Sequence, residues 1–414
     1  MRFIVATLGS AGDVFPFLGL ALELRGRGHD ILFATNAHFE GLIRRHGLAF
    51  EALGTEEDYQ ATIRNPDLWS PRKAFPHIFR SMSPVLRRQY DICAAAGSQA
   101  VSIVNVFGFG ALLAQEKLGI PAITVHLQPS VLWSRVNPPT IPGVIGPRWF
   151  KSVMYNLGER FIIDPVVCPF LNDWRSELGL PPVRRTTRWW NSPFSVLCMF
   201  PDWFCPIQPD WPANVVQTTF PLWNDGSSES LSPKLQAFLD DGTPPIVFTP
   251  GTANIHARQF FQTAMEACRH LDHRALFLTQ HPEQLPKSLP STILAERYAP
   301  LDRVLPRAAA FVHHGGIGST SQALLAGVPQ VLMPLAHDQF DNAVRIQKLG
   351  AGVGIPAIRF TVRSLRVTLN RLLASDRVTH QCREAASKLE ARDGIRRSAD
   401  AILARLEART AASA

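Results

Sequence analysis

A glycine-rich turn in the second half of the 414-residue chain constrains the fold most strongly. An apolar run at residues 308–312 predicts a strand that leads into His314, and three glycines follow within the next four residues. Ser319 and Thr320 then open an apolar-periodic helix, and residues 328–333 predict the following strand. A strand, a crossover helix and a second strand are the unit of a parallel sheet covered by helices, so the predicted fold class is α/β.

This turn has the architecture that binds phosphate. Glycines let the backbone approach an anion closely, the first N–H groups of a helix have no helical partner, and the helix dipole favours negative charge there. His314 would add a donor or a positive charge at the same place. Asp338 and Gln339 follow the next strand, and an acid beside an amide suits sugar hydroxyls. The stretch predicts a diphosphate site beside a sugar site; glycines that serve only tight packing are the alternative.

The start of the chain repeats this order of elements. Residues 3–8 predict a strand, residues 9–13 a glycine-rich turn, residues 15–27 a helix and residues 31–35 the next strand. An NAD-binding Rossmann domain is the obvious alternative, but the turn reads G-S-A-G rather than G-x-G-x-x-G. The second strand also ends without the acidic residue that NAD enzymes place there for the ribose. The sequence therefore argues against a nicotinamide cofactor.

Three motifs in the second half resemble a known family. They are H-x-G-x-G-S-T starting at His314, then G-V-P, then D-Q-x-x-N-A starting at Asp338. This order is similar to the donor-binding signature of the UDP-glycosyltransferase superfamily. Over nearly its whole length the chain most resembles the rhamnosyltransferases that make rhamnolipids and the bacterial macrolide and glycopeptide glycosyltransferases. The resemblance implies the GT-B fold, in which two Rossmann-like domains face a cleft and the C-terminal helix returns to the N-terminal domain.

The resemblance also implies a reaction. It predicts an inverting hexosyltransferase that moves a sugar from a nucleoside-diphosphate sugar, of the UDP-glucose or dTDP-rhamnose type, to a hydroxyl of a hydrophobic small molecule such as a lipid or phenolic natural product. No D-x-D triplet occurs, so we expect neither a metal nor a cofactor besides this co-substrate. The residues expected to bind the donor, from the resemblance and from their places at strand ends, are Ser10, Gly12, Gly251, Thr252, Tyr298, Ala299, His314, Gly316, Gly318, Ser319, Thr320, Asp338 and Gln339.

Asp13 lies beyond the carboxyl end of the first predicted strand, where open α/β sheets bind ligands. One interpretation is an N-cap, for which Asp is a preferred residue. The other is a catalytic general base, because inverting sugar transfer needs a group that takes the proton of the acceptor hydroxyl. In glycopeptide members of the resembled family an Asp here is the proposed base, whereas many other members carry a His oriented by a second Asp. Residues 104–109 correspond to the segment that would supply that second Asp, and they contain none.

Two further regions suit recognition of the nucleotide and of the acceptor. In the resembled family an aromatic residue at the position of Tyr298 stacks on the pyrimidine, and backbone groups from Ala299 onward pair with its edge; a packing tyrosine is the alternative. The proline-rich loop 137–147 cannot be regular helix or central strand. With Trp133 and Trp149 beside it, the loop predicts an apolar acceptor pocket.

The length of the chain suits two domains of about 200 residues each. We expect an N-terminal acceptor-binding domain at residues 1–207 and a proline-rich interdomain linker at 208–232. A C-terminal nucleotide-sugar-binding domain should follow at 233–390, and a helix at 391–414 should pack back on the N-terminal domain.

Composition limits the partners and the location. The net charge is +8, but no long basic run occurs and basic residues do not alternate with aromatic ones, so binding to nucleic acid is not predicted. The charge would suit an anionic donor or a membrane surface that carries a lipid acceptor. The six cysteines show no CxxC spacing, and neither a signal peptide nor an apolar span of about 18 residues is present. We expect a cytoplasmic protein with at most peripheral membrane contact; the oligomeric state stays open.

Two other classes of function remain open from the sequence. An epimerase of GT-B-like fold would convert a nucleotide sugar without an acceptor. A non-catalytic protein would bind the nucleotide sugar and turn over no acceptor, although a carboxylate at Asp13 counts against this interpretation.

Overall fold

The chain forms two compact units, of which the first comprises Met1–Trp223 with Arg392–Ala414 and the second Asn224–Ala391. Each unit contains one parallel sheet with helices, as the sequence predicted. The computed structural model describes residues 1–70, 73–144, 146–223, 231–252, 254–389 and 393–413.

The first unit is built on a sheet of seven parallel strands. In chain order these strands are β1 Arg2–Ala6, β2 Asp30–Thr35, β3 Ala49–Ala52, β4 Ala100–Val104, β5 Ala122–His126, β6 Ser195–Cys198 and β7 Val215–Gln217. Their order across the sheet is β3-β2-β1-β4-β5-β6-β7. Phe3 in β1 is in register with Ile31 on one side and with Val101 on the other. β1 is therefore a central strand.

The apolar sequence of β1 follows from this central place. Phe3, Ile4 and Val5 are all fully buried. Parallel strands that helices cover on both faces carry continuous apolar runs rather than alternating ones. Burying each such side chain stabilises the fold by roughly 1.5–3 kcal/mol, so β1 anchors the turn that follows it.

Helices of the first unit connect these strands and pack on the sheet. Those before the second unit are α1 Ala11–Gly26, α2 Glu40–Arg45, α3 Glu56–Arg64, α4 Ala74–Ala96, α5 Phe109–Leu118, α6 Arg148–Gly158, α7 Asp164–Glu177 and α8 Thr186–Trp189. A π-helical turn at Glu159–Ile163 joins α6 to α7.

Helix α1 begins four residues before the predicted start at residue 15. Ser10 is its N-cap, and the backbone N–H of Ser10 donates to the carboxylate of Asp13 at 2.8 Å. This reciprocal cap stabilises a helical turn ahead of Pro16, a residue that would fall in the first turn of a helix starting at residue 15. Pro16 has no N–H, so the carbonyl of Gly12 lacks the usual helical hydrogen bond.

The predicted linker at residues 208–232 is partly sheet in the structure. The first unit continues through Trp223, and β7 pairs with β6 at the edge of the sheet. An edge strand tolerates prolines around it because one row of its N–H groups needs no partner strand. Residues 224–230 of the predicted linker lie outside the described residues.

The second unit is built on a sheet of six parallel strands, ordered β10-β9-β8-β11-β12-β13. In chain order they are β8 Ile246–Thr249, β9 Ala275–Leu278, β10 Ile293–Glu296, β11 Ala310–His313, β12 Gln330–Leu332 and β13 Gly352–Gly354. The helices are α9 Pro233–Asp240, α10 Arg258–Leu271, α11 Leu301–Val304, α12 Ile317–Leu325, α13 Gln339–Leu349, α14 Val362–Leu373 and α15 Asp376–Ser387.

In each sheet the order in which successive strands are added reverses at one place. β1, β2 and β3 extend to one side, and β4 then returns to the other side of β1. β8, β9 and β10 extend in the same way, and β11 returns beside β8. Open α/β sheets bind ligands beyond the carboxyl ends of the strands at such switch points. The turns after β1, β8 and β11 all lie there.

The last helix, α16 Asp393–Ser413, belongs to the first unit, as the sequence predicted. The Arg27 guanidinium lies 2.5 Å from a carboxylate oxygen of Asp400. Gly394 packs so closely on the carbonyl of Phe220 that a methyl group at this position would collide with it. The three residues before this helix and the last residue of the chain lie outside the described residues.

The described chain bears on two expectations about its environment. All six cysteines, each of which is described, are free thiols, and only Cys168 is not buried. Among the helices that the structure describes, none combines the length and the apolar character needed to cross a bilayer.

Candidate active site

β11 brings two histidines with different roles to the carboxyl edge of the second sheet. The buried His313 accepts the N–H of Gly315 on Nδ1 at 3.1 Å. The ring proton is therefore on Nε2, which lies 3.0 Å from the side-chain oxygen of Gln330. Burial, together with repulsion from His314 when that ring is protonated, lowers the pKa of His313 to about 3, so the His313 ring is neutral. His313 shapes the turn, and His314 is left for a ligand.

The ring of His314 is held between two glycines. A β-carbon on Gly316 would lie 2.6 Å from Nε2 of this ring, and one on Gly251 would lie 2.8 Å from Cε1. Neither position accepts a side chain unless the ring moves. Gly251 follows β8 with a φ of +93°, a conformation that glycine adopts without strain. The structure thus brings the predicted residues Gly251, His314 and Gly316 together at the switch point.

His314 is uncharged in the unliganded protein. Loss of hydration lowers its pKa to about 4, and the charge of His337 contributes in the same direction. Within the described residues, Nδ1 of His314 is buried and has no hydrogen-bond partner. Leaving such a nitrogen unsatisfied costs roughly 1–3 kcal/mol, a cost that a bound ligand with an acceptor atom would remove.

The N-terminus of α12 presents open backbone donors. The N–H of Ile317 is taken, because it donates to the Asp338 carboxylate at 3.2 Å. As far as the structure is described, the N–H groups of Gly318 and Ser319 and the Ser319 hydroxyl donate to no protein acceptor. Open space surrounds the missing side chain of Gly318. Free donors at the positive end of a helix dipole form a site for an anion.

Thr320, which the resemblance predicts to contact the diphosphate, is fully buried. Its N–H bonds to the carbonyl of Gly316, and its own carbonyl accepts from Nε2 of Gln330. Its hydroxyl has no hydrogen-bond partner in the described part of the chain. In this structure Thr320 therefore packs under the turn, whereas Ser319 lies at the open end of the helix.

A buried asparagine joins the starts of α12 and α13. Nδ2 of Asn342 donates to the Asp338 carboxylate at 2.6 Å and to the carbonyl of Gly315 at 2.9 Å. The same oxygen of Asp338 accepts the N–H of Ile317. The predicted sugar-binding acid is thus fixed against the predicted phosphate-binding helix. His337, just before it, has a φ of +58°, a strained conformation of the kind that clusters at ligand sites.

Gln339 is buried, and its side-chain oxygen holds the loop after β12. This oxygen accepts the N–H of Leu335 at 2.7 Å and that of Ala336 at 3.1 Å. Among described residues no hydrogen bond leaves its Nε2, which is the atom of this side chain that remains for a ligand.

The other predicted donor residues lie along the same edge of the sheet. Thr252 is exposed in the turn after β8. Tyr298 and Ala299 follow β10; Tyr298 is 48 % exposed and Ala299 is buried. Two strands separate β10 from β11, which corresponds to about 14 Å at the usual strand spacing. That distance suits a nucleoside that runs from a base at Tyr298 to phosphates at His314.

In the first unit, Asp13 and Ser10 form one hydrogen-bonded group after β1. Besides the backbone bond, the Ser10 hydroxyl donates to the same Asp13 oxygen at 3.2 Å. A β-carbon on Gly9 would collide with the Asp13 carboxylate, so this glycine gives the carboxylate its room. Asp13 is the third residue of the helix and not its N-cap, and Ser10 is its orienting partner. Gly12 is exposed beside them.

The surroundings of Asp13 raise the pKa of its carboxyl group. Burial is the largest cause, and the hydrogen bonds from Ser10 oppose it. Burial and the negative charges of Asp13 and Glu56 raise the pKa of Tyr59 to about 12, so this phenol stays protonated. Asn105, in the segment expected to lack a second Asp, instead donates to the carbonyl of Leu8 at 2.6 Å and ties β4 to β1. A raised pKa makes the Asp13 carboxylate a stronger base.

In the portion of the chain that is described, no group of three or more His, Cys, Asp or Glu residues is arranged to hold a metal ion.

Family models match both halves of the chain. Residues 3–134 match the glycosyltransferase family 28 N-terminal domain, and residues 262–408 match the erythromycin biosynthesis protein CIII-like C-terminal domain. The chain belongs to the glycosyltransferases. The predicted membership is confirmed, and the two matched segments contain the turns that carry Asp13 and His314.

Two relatives align with nearly the whole of this glycosyltransferase. O-mycaminosyltylonolide 6-deoxyallosyltransferase of Streptomyces fradiae is 28 % identical over 434 residues, which cover 100 % of this chain and 99 % of the relative. Sterol 3-beta-glucosyltransferase UGT80B1 of Arabidopsis thaliana is 25 % identical over 423 residues, which cover 97 % of this chain and 67 % of the relative.

A solved structure confirms the predicted GT-B fold class of this glycosyltransferase. The spinosyn rhamnosyltransferase SpnG, complexed with thymidine diphosphate, superposes with a TM-score of 0.65. The alignment covers 98 % of this chain and 100 % of that chain at 17 % sequence identity.

Sequence reasoning about this glycosyltransferase missed the residues that hold the site in shape. Asn342 was visible in the D-Q-x-x-N-A motif, but the motif did not show that its amide reaches back to Gly315. The pair of His313 and Gln330 gave no signal, because the partners are 17 residues apart and lie on different strands. Ser10 could have been found as the partner of Asp13, since a Ser three residues before an acid is the pattern of a reciprocal helix cap.

Gly316→Ala should weaken nucleotide binding by displacing His314. Gly316 has a φ of −62°, which alanine adopts without strain. The expected effect of the substitution is therefore a collision of the new methyl group with the His314 ring. We expect the affinity of this glycosyltransferase for UDP or dTDP to fall about tenfold or more, because one charge-assisted hydrogen bond is worth that much. Titration calorimetry measures the change, and wild-type affinity in this variant would contradict the assigned place of the ring.

Gly318→Ala tests the open helix end separately. Open space surrounds this position inside α12, so alanine should stabilise the fold by roughly 0.5–1 kcal/mol while its methyl group obstructs the free N–H groups. Gly26→Ala is the matched control, since Gly26 also lies in a helix with nothing around a new β-carbon. We expect Gly318→Ala to raise the melting temperature and to weaken nucleotide binding. Gly26→Ala should leave nucleotide binding unchanged.

Proposed function

We propose that this glycosyltransferase moves a sugar from a nucleoside-diphosphate sugar to a hydroxyl of a hydrophobic small molecule, with inversion at the anomeric carbon. The observation that carries the proposal is the open start of α12 at the switch point. Two free N–H groups, a free serine hydroxyl and the unpaired Nδ1 of His314 belong to one turn. Such a group of donors suits the charge of a diphosphate leaving group.

The diphosphate would take the N–H groups of Gly318 and Ser319, with the His314 ring beside it. Tyr298 would stack on the base, since its ring is half exposed and the strand spacing matches a nucleoside. We infer that the second unit binds the donor. The thymidine diphosphate in the SpnG complex favours a dTDP-sugar, and a UDP-sugar is the other nucleotide to test.

The sugar would lie beside Asp338 and Gln339. The carboxylate of Asp338 is fixed by Ile317 and Asn342, so it can accept a sugar hydroxyl without reorganising. Nε2 of Gln339 offers a donor next to it. Fixed polar groups of this kind favour one arrangement of hydroxyls over its epimers, because a mismatched sugar leaves them unpaired.

Asp13 would be the general base on the first unit. As the acceptor oxygen attacks the anomeric carbon, its proton passes to the Asp13 carboxylate and the bond to the diphosphate breaks. The two N–H groups of α12 stabilise the charge that develops on the departing oxygen. The hydrogen bonds from Ser10 hold the carboxylate in position, so no second acid is needed.

The acceptor is proposed from the relatives. One is named for a tylonolide and another for a sterol, so a tylonolide-like or sterol-like small molecule is the proposed acceptor. The first unit, which carries Asp13, would bind such a molecule.

The proposal is tested in two steps. A thermal-shift screen of UDP-, dTDP- and GDP-sugars identifies the donor, because any ligand of the folded state raises the melting temperature. Incubation with that donor and a panel of macrolide aglycones, sterols and hydroxy-fatty acids should then release free nucleoside diphosphate and a glycoside. A product formed from donor alone would indicate an epimerase, and binding without turnover would indicate a non-catalytic protein.

Affinity for the nucleotide sugar should rise as the pH falls from about 7 to about 5. The unliganded His314 has a pKa of about 4, and a diphosphate beside it favours the imidazolium and raises that pKa. Binding then takes up protons between the two pKa values, so acid strengthens it. Calorimetry in buffers of different ionisation enthalpy measures the uptake, which His314→Gln should abolish. Uptake of no protons by the wild type would show that His314 stays uncharged beside the ligand.

A further inference from the structure

Helix α6 and the π-helical turn after it expose an unusual amount of apolar surface. None of the 11 residues of α6 is buried, whereas α10 buries six of its 14 residues. Of the 13 large apolar side chains exposed in the described chain, five lie between residues 149 and 162. An apolar concentration of this kind marks a surface that another structure covers.

Four of these side chains form an apolar stripe. They are spaced four residues apart, so they lie on one side of the helix, and they are Trp149, Val153, Leu157 and Phe161. The ends of the stripe, Trp149 and Phe161, are aromatic and are 69 % and 67 % exposed, respectively, so Trp149 is not enclosed in the apolar acceptor pocket that the sequence predicted. At the helical rise, the stripe is about 18 Å long. The π-helical turn underwinds the last part, which keeps Phe161 and Ile162 near the same side.

The segment that carries the stripe contains three basic residues and one acid, and the acid is buried. Arg148, Lys151 and Arg160 form no ion pair with an acid among the described residues, and the Arg160 guanidinium lies 5.8 Å from the centre of the Phe161 ring. Glu159 is buried and contacts the hydroxyl of Thr187 and the guanidinium of Arg185. The solvent side of this segment therefore carries positive charge and apolar surface without negative charge.

The positive charge beside the stripe favours a negatively charged partner over a second copy of the chain. A second copy of the chain would bring the three cations against their own counterparts, with no exposed acid between them to offset the repulsion. A helix with aromatic residues at the ends of its apolar side and free Lys and Arg beside it is the pattern of segments that lie in a membrane interface. Anionic lipid headgroups supply the charge that the cations lack.

We propose that α6 and the π-helical turn lie in the surface of an anionic lipid bilayer. The apolar stripe enters the boundary between headgroups and acyl chains, and Arg148, Lys151 and Arg160 contact lipid phosphates. This contact is peripheral and does not depend on which sugar donor the second unit binds. It would hold the first unit at the place where a water-insoluble acceptor is dissolved.

Vesicle flotation of the full chain tests the proposal. Vesicles of phosphatidylglycerol and phosphatidylcholine in equal amounts should carry the protein, and pure phosphatidylcholine should carry far less. The double variant Trp149→Ser with Phe161→Ser should lower partitioning at least about tenfold, and Arg148→Glu or Arg160→Glu should each lower it about fivefold or more. Ile358→Ser is the matched control, because this isoleucine is 92 % exposed on the second unit. It should float like the wild type.

Three outcomes would overturn the proposal. The wild type would fail to float, or the double serine variant would float as well as the wild type. Alternatively, light scattering would show a dimer that the double variant abolishes while neither protein binds vesicles, which would make the stripe a self-association surface. Thermal unfolding should be the same in all variants, since the substituted side chains are exposed.

Discussion

Asp13→Asn is expected to lower glycosyl transfer about 10²- to 10⁴-fold while the affinity for the donor nucleotide stays unchanged. The amide oxygen of Asn can still accept the N–H of Ser10, so the cap of α1 is kept. The amide cannot take a proton from the acceptor hydroxyl, so the variant should lose the rate enhancement that a general base typically contributes. Steady-state turnover measures the first effect and titration calorimetry the second.

The chain offers a matched control for this substitution. Asp58 occupies the same place in α3 that Asp13 occupies in α1: its carboxylate accepts the backbone N–H of Thr55 at 2.9 Å and the Thr55 hydroxyl at 3.1 Å. Asp58→Asn should therefore change helix capping by a similar amount, about 1 kcal/mol at most, and leave turnover intact. Equal turnover in the two variants would leave Asp13 with only the capping role.

His314→Ala is expected to weaken binding of UDP or dTDP about 10- to 100-fold. A hydrogen bond to a charged partner contributes roughly 1.5–3 kcal/mol, which corresponds to that range. The substitution breaks no hydrogen bond of the described protein, because the buried Nδ1 has no partner there. The fold should therefore survive, and calorimetry at fixed pH compares the affinities.

His273 supplies the control for this second prediction. It also has a buried Nδ1 without a partner among the described residues, but it lies before β9, at the opposite edge of the same sheet. His273→Ala should bind nucleotides as the wild type does. If the two alanine variants bind equally well, the diphosphate does not lie at His314.

The elements of the second unit could be predicted closely because local pattern determines them. β11 at 310–313 and β12 at 330–332 lie within two residues of the strands predicted at 308–312 and 328–333, since a short apolar run marks each of them. The predicted start of α1 at residue 15 was wrong. A glycine-rich stretch ahead of a proline is not typical of a first helical turn, but the hydrogen bond between Ser10 and Asp13 stabilises one there. A side-chain contact of that kind outweighs the average preference of the turn residues.

The detailed chemistry of the site could not be predicted, because it depends on residues far apart in the chain. The uncharged state of His314 follows from burial of its ring, which packs in part against Gly251, 63 positions earlier in the sequence. The occupation of the Ile317 N–H by Asp338 joins residues 21 apart. No local pattern contains these distances, whereas the glycines and the strand ends already located the site.

The return of α16 to the first unit has a consequence for biosynthesis. Ribosomes make proteins from the amino terminus, and domains generally fold in the order in which they emerge. In this protein the first unit is not complete until the whole second unit has been translated, because its last helix comes after the second unit in the chain. A nonsense codon shortly before Asp393 would therefore leave the unit that carries Asp13 incomplete, although every residue of the turn that carries His314 would already have been made.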